Sequence, residues 1–176
     1  TLTYAMWRIA QSEESSYTIY LAEGRYSPST TGEEFPIVLK NHINIEGVGE
    51  ELTILDAEES GLVLLIEYCD NNYINHLTIT GGYNIYTNYG SGGGISMRAS
   101  STSFNNITVS NNTKGGGIVA SWMSDLILTN VTIHENISTG SGGGLRVSGS
   151  AILNNVTVSA NTAQSCAGIK LNTNSD

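Results

Sequence analysis

Few residues in this chain of 176 could carry covalent chemistry: 3 histidines, 2 cysteines and 16 carboxylates. Hydrolysis of a glycosidic bond needs two carboxylates held at a set separation. Elimination from an acidic sugar needs a metal-bound carboxylate cluster and a basic residue to take the proton. Beyond Asp70 the only carboxylates are Asp125, Glu135 and Asp176. Asp125 falls at a turn and Glu135 follows an outward-facing His134, so no close acid pair is expected there. Glu46, Glu50, Glu51, Asp56, Glu58 and Glu59 crowd the N-terminal half and read as a solvated face or loop. His42 and His76 each follow an Asn and precede a strand at equivalent places, which suits bend residues. No grouping of His, Cys and Asp has zinc-ligand spacing. No catalytic residue and no cofactor are expected, and nothing in the pattern supports a calcium site.

Binding chemistry is better represented. Thr78, Thr108, Thr132 and Thr157 recur in one repeated word and would form a column of hydroxyls able to meet a glycan, or to order water. A solvent-facing strand also favours Thr for reasons unrelated to ligands. Arg146 and Lys170 fall on adjacent repeats and would repel each other unless an anion lay between them, so they are candidates for an acidic-glycan contact. Tyr83, Tyr86 and Tyr89 lie in the insertion "GGYNIYTNYGSGGG", where aromatic rings on a loop suit sugar stacking or protein contact. The alternative is that they pack back over the sheet. The clusters "GGGI" and "GGGL" are not phosphate loops, because no Lys-Ser/Thr pair opens a helix after them.

Composition narrows the partners. The chain is 39% hydrophobic but only 13% charged, with a net charge of -9, which argues against nucleic acid, whose binding needs a basic stripe. No apolar run of about 18 residues exists to span a membrane. The chain begins with Thr and has no signal peptide, so a mature or excised piece is expected.

Positioning of these residues follows from repetition. "LTIT" (77–80), "ITVS" (107–110), "VTIH" (131–134) and "VTVS" (156–159) place their Thr residues 30, 24 and 25 positions apart. The last glycines of "GGGI" (92–95), "GGGI" (115–118), "GGGL" (142–145) and "CAGI" (166–169) are spaced by 23, 27 and 24. Two markers drifting together at one period imply stacked units. Alternation of apolar and polar residues, rich in Val, Ile and Thr, makes the units short strands. The expected fold is all-β: a right-handed, single-stranded parallel β-helix with coils of about 24 residues.

In that frame Leu77/Ile79, Ile107/Val109, Val131/Ile133 and Val156/Val158 point inward, as do Ile74, Phe104, Leu128 and Leu153. The second strand of each coil adds Ile95/Met97, Ile118/Ala120, Leu145/Val147 and Ile169/Leu171. Its outward residues would be Ser96, Val119, Arg146 and Lys170. Asn106, Asn130 and Asn155, with His76 before them, form one ladder; Asn112, Asn136 and Asn161 form another. The five Asn-x-Ser/Thr sequons in these words recur because the coil recurs. Cys69 and Cys166 lie too many coils apart for a disulfide and are expected free, buried or half-buried.

"ITVSNNTKGGGI" and "VTVSANTAQSCAGI" resemble the repeats of right-handed parallel β-helix proteins of the pectin-lyase-like superfamily. They are similar in particular to bacterial surface and secreted members such as the polymorphic outer-membrane proteins. Phe104-Asn105-Asn106 departs from the Phe-x-x-Asn word of that narrower group. The resemblance covers residues 17–176 and extends to the first coils, with their Gly24-Arg25-Tyr26, "INIEG" and "LTILD". It implies export to the cell surface or extracellular space. Leu2, Ala5, Met6 and Ile9 share one face of a helix that would cap the core, and "TTGEEF" (30–35), between Pro28 and Pro36, would be a loop. The expected organisation is a cap and linker over 1–16, irregular coils over 17–70 and regular coils over 71–176, cut short at the C-terminus. The expected function is a non-catalytic structural, adhesive or carbohydrate-binding rod, with glycans or surface proteins of host or neighbouring cells as partners. The alternatives are a fragment of a polysaccharide lyase or glycoside hydrolase, and an element that self-associates end to end.

Overall fold

The computed structural model describes residues 1–9, 15–84 and 92–172. They form a parallel β-solenoid of about six coils behind one short helix. Short alternating strands cannot bury an apolar face alone, so each coil stacks on the next. The first sheet follows the path Tyr17–Tyr20, Ile43–Glu46, Asn72–Thr80, Ser101–Ser110, Asp125–His134 and Ser150–Ser159, and Gly24–Tyr26 and Thr53–Asp56 extend its first two coils. The second sheet stacks Ile37–Val38, Leu64–Glu67, Ile95–Arg98, Ile118–Ser121, Leu145–Val147 and Ile169–Leu171. A third, two-stranded sheet pairs Ile137–Ser141 with Thr162–Ser165.

Register follows the repeated words. Val131 pairs with Ile107 below and Val156 above. The inward columns are sealed through the fifth coil: Leu77, Ile79, Ile107, Val109, Ile133, Ile74, Phe104 and Leu128 are all 0% exposed. In the last described coil the same columns open, with Leu153 38%, Ile169 43% and Leu171 68% exposed. Cys166 belongs to this coil and is exposed rather than buried or half-buried as expected, because no described coil stacks over it; both thiols are free, as expected. Cys69 is buried, and that burial pushes its thiol up to about 11.

The other end is closed by the helix Leu2–Arg8, whose Leu2 and Met6 enter the core while Ile9 packs against it. The loop over 30–35 does more than connect. Its Glu33, 2% exposed, accepts hydrogen bonds from the Leu2 and Thr3 amides (2.6 and 2.9 Å) and from Thr3 Oγ1 (2.7 Å). A buried carboxylate thus satisfies the helix's otherwise orphaned donors.

Bends are made by left-handed residues. His76, Asn106, Asn130 and Asn155 all have φ between 51° and 55°, each dividing its long first-sheet strand into two flat halves. Asn tolerates this conformation better than most L-residues. His42 also has positive φ, but the register that pairs Ile45 with Ile74 places it beside Asn71 rather than His76. The two histidines therefore occupy different bends. The glycine clusters are packing devices: a Cβ on Gly116 would sit 2.6 Å from the Gly143 carbonyl oxygen, and one on Gly117 2.7 Å from that of Gly144. Coils approach too closely there for any side chain.

Candidate binding face

Alternation puts every second residue of a first-sheet strand on the outside, and register aligns these residues between coils. Thr78, Thr108, Thr132 and Thr157 are direct neighbours in that order, about 4.8 Å apart per coil. Beside them run Thr80, Ser110, His134 and Ser159. The hydroxyl column expected from the sequence is therefore present, interrupted on its flank by His134.

One end of the column is roofed. In later coils a single left-handed residue joins the two halves of the strand; in the coil Ile43–Asp56 the joint is the six-residue stretch 47–52. These extra residues fold out over the next two coils. Thr78 Oγ1 donates to the Glu50 backbone oxygen at 2.7 Å, and Thr108 Oγ1 donates to the Glu50 carboxylate. Gly49, Glu50, Glu51 and Leu52 form the wall, and Thr78, Thr108 and Ser110 the floor, of an open groove of about 650 Å³. The length difference between "INIEGVGEELTILD" and "YINHLTIT" signals this insertion, though not the direction of its fold.

The acidic cluster is consequently not one solvated face. Glu50 engages the threonines. Asp56 is buried and pairs with Arg25 at 2.7 Å. Glu58 accepts from the hydroxyls of Ser29 and Ser27, and these bonds hold its carboxyl below the usual range. Only Glu51 and Glu59 stand exposed without such ties.

Glu46 begins a directed chain of hydrogen bonds. Asn155 Nδ2 donates to Asn130 Oδ1 (2.8 Å), Asn130 Nδ2 to Asn106 Oδ1 (3.2 Å), and Asn106 Nδ2 to His76 Nε2 (2.9 Å). With Nε2 accepting, the proton lies on Nδ1 and is donated to Glu46 Oε1 at 2.6 Å. A carboxylate–imidazole pair of this form could serve a hydrolase, where Nε2 would take a proton from a nucleophile or water. Here that nitrogen is occupied by an amide. Comparison with protein-family models, curated proteins and solved structures gave no match.

The remaining candidates separate. Tyr83 is half-buried, bridges to Thr113 and carries the Lys114 ammonium 4.6 Å above its ring. Tyr86 and Tyr89, the other rings of that insertion, lie outside the described residues. Arg146 and Lys170 are register neighbours. Lys170 Nζ donates to Ser141 Oγ at 2.9 Å, and burial lowers the Arg146 guanidinium from its ordinary value. Their column is not open surface throughout, since Ser96 and Val119 are 8% and 2% exposed. Among the described residues, no group of three or more His, Cys, Asp and Glu is placed to hold a metal, and no helix is long and apolar enough to cross a membrane.

Proposed function

We propose that the chain is a non-catalytic binding rod that acts outside the cell or at its surface and holds uncharged or amino-substituted glycans on its threonine face. The observation that carries this reading is the groove in which Thr78, Thr108 and Ser110 meet Glu50, Glu51 and Leu52. Sugar hydroxyls both donate and accept, as threonine hydroxyls do, and a carboxylate accepts from them strongly. Leu52, 43% exposed, offers an apolar edge for the C–H face of a ring. The coil spacing repeats this chemistry at Thr132 and Thr157, so an extended chain could follow the column. Two carboxylates on the wall, on a protein of net charge -9, disfavour anionic glycans. The occupied His76 Nε2 supports binding without turnover. The likeness of the repeats to the pectin-lyase-like superfamily supports export and the glycan class.

The test is a glycan array, followed by calorimetry, on wild type, Thr108→Val and Glu50→Gln, with release of reducing ends measured in parallel. The expected result is binding of neutral or amino glycans that each substitution weakens about tenfold, with no release. Binding indifferent to both substitutions removes the groove from the function. Turnover that a single carboxylate substitution abolishes would instead establish an enzyme.

A further inference from the structure

A second surface lies on the turns that leave the second sheet. Tyr68, Ala99 and Trp122 begin these turns on three successive coils, and all three have left-handed backbone, with φ of 55°, 45° and 55°. Met123 follows at 57°. Bulky residues are uncommon in this region of backbone space, and such outliers concentrate at functional sites. The turn carrying Trp122 is also longer than the Ala99 turn stacked beneath it. Register pairs Arg98 with Ser121 and Ser101 with Asp125, leaving two residues between the strands in one coil and three in the next. The added residue puts two large apolar side chains into solvent: Trp122 is 59% exposed and Met123 79%. Tyr68 is 67% exposed. Ala99 lies between the two aromatic residues and leaves a notch two coils, about 10 Å, wide. Ser124 anchors the turn from beneath, fully buried, donating to the Ser121 carbonyl oxygen at 2.6 Å and accepting from the Ser100 amide.

Arg98 borders the notch. Its guanidinium lies 4.4 Å from the centre of the Trp122 ring. Its Nε is buried without a partner. Glu67 is its register neighbour, yet the ion pairs of the described residues join Arg25 to Asp56, His76 to Glu46 and His134 to Glu135, and none reaches Arg98. A half-buried cation fixed by an aromatic ring and lacking an anion is a prepared acceptor for one. Trp, Tyr, Met and Arg are also the residue types that protein interfaces concentrate.

We propose that Arg98, Trp122, Met123 and Tyr68 form a docking site for a protein partner that presents a carboxylate beside an apolar side chain. The carboxylate pairs with the Arg98 fork and the apolar group enters the notch over Ala99. The site is independent of the threonine face.

The experiment uses fluorescent synthetic peptides that place Glu between Leu and Phe residues, and identical peptides with Gln in place of Glu. Anisotropy is read against wild type, Arg98→Gln, Arg98→Lys, Trp122→Ala and the exposed control Glu59→Gln. The expected result is binding of the Glu peptides alone, weakened about tenfold or more by Arg98→Gln and by Trp122→Ala, partly kept by Arg98→Lys and unaltered by Glu59→Gln. Trp122 is exposed, so its removal leaves the fold intact, checked by an unchanged unfolding curve. Equal binding of Gln and Glu peptides, or binding that survives both substitutions, overturns the proposal. So does a concentration-dependent dimer that Trp122→Ala abolishes, which would make the occupant a second copy of this chain.

Discussion

Replacing Asn136 by Ala removes the centre of the buried amide ladder. Asn136 Nδ2 donates to the carbonyl oxygens of Val109 (2.9 Å) and His134 (3.0 Å) and to Asn161 Oδ1 (3.0 Å). Its Oδ1 accepts from the Asn112 backbone amide (3.0 Å) and from Asn112 Nδ2 (2.9 Å). Asn112 Nδ2 keeps the carbonyl oxygens of Ile79 and Ser110, but its backbone N–H loses its acceptor in a site with no solvent access. An orphaned buried donor costs roughly 1–3 kcal/mol and the other lost bonds about 1 kcal/mol more, so a loss of about 2–4 kcal/mol is expected. Asn130 is the contrast: it is exposed, φ is 53°, and glycine takes that backbone freely. Asn130→Gly should cost less than about 1 kcal/mol. Urea unfolding followed by circular dichroism measures both, with hydrogen exchange at the Asn112 amide as a local readout. A loss below about 1 kcal/mol for Asn136→Ala, or equal losses for the two variants, would refute the reasoning.

Glu33→Ala should free the Leu2 and Thr3 amides and cost about 2–3 kcal/mol at the capped end, read as a lower thermal midpoint; an unchanged midpoint contradicts the clamp. Cys166 should react with iodoacetamide about a hundredfold faster than Cys69, whose thiol is pushed up to about 11; peptide mass spectrometry separates the two, and equal rates would deny the burial of Cys69. Glu58 has a folded carboxyl held below its ordinary value of 4.5 by bonds from Ser29 and Ser27. Its contribution is complete above that ordinary value and disappears as pH falls through the depressed one. The stability difference between wild type and Glu58→Gln should hold from neutral pH to about 5 and shrink below about 4; a difference that grows in acid contradicts the assignment.

The solenoid was legible because it is written twice, in the Thr words and in the glycine words. Both ladders and the Thr78–Thr157 array follow from that register and meet the structure residue by residue, as the inward columns do through the fifth coil. What escaped lies where the repeat is broken. The stretch 47–52 shows in the sequence as extra length, but only its fold over Thr78 and Thr108 turns Glu50 from a solvated charge into the wall of a groove. His42 resembles His76 locally, yet coil register sets them in different bends. Nothing in the repeated words singles out Trp122 and Met123; only the register with the Ala99 turn beneath shows the added residue that exposes them. Exposure of Cys166 was equally hidden, since it depends on what stacks above a coil and not on the residues within it.

The most direct test of the binding face is a titration of isotope-labelled protein with the tightest glycan from the array, followed by amide and threonine methyl shifts. Changes should concentrate at Thr78, Thr108, Thr132 and the loop Gly49–Leu52, and leave Tyr83 and Lys114 unmoved. Changes confined to the Tyr83 side, with the threonine methyls silent, would contradict it.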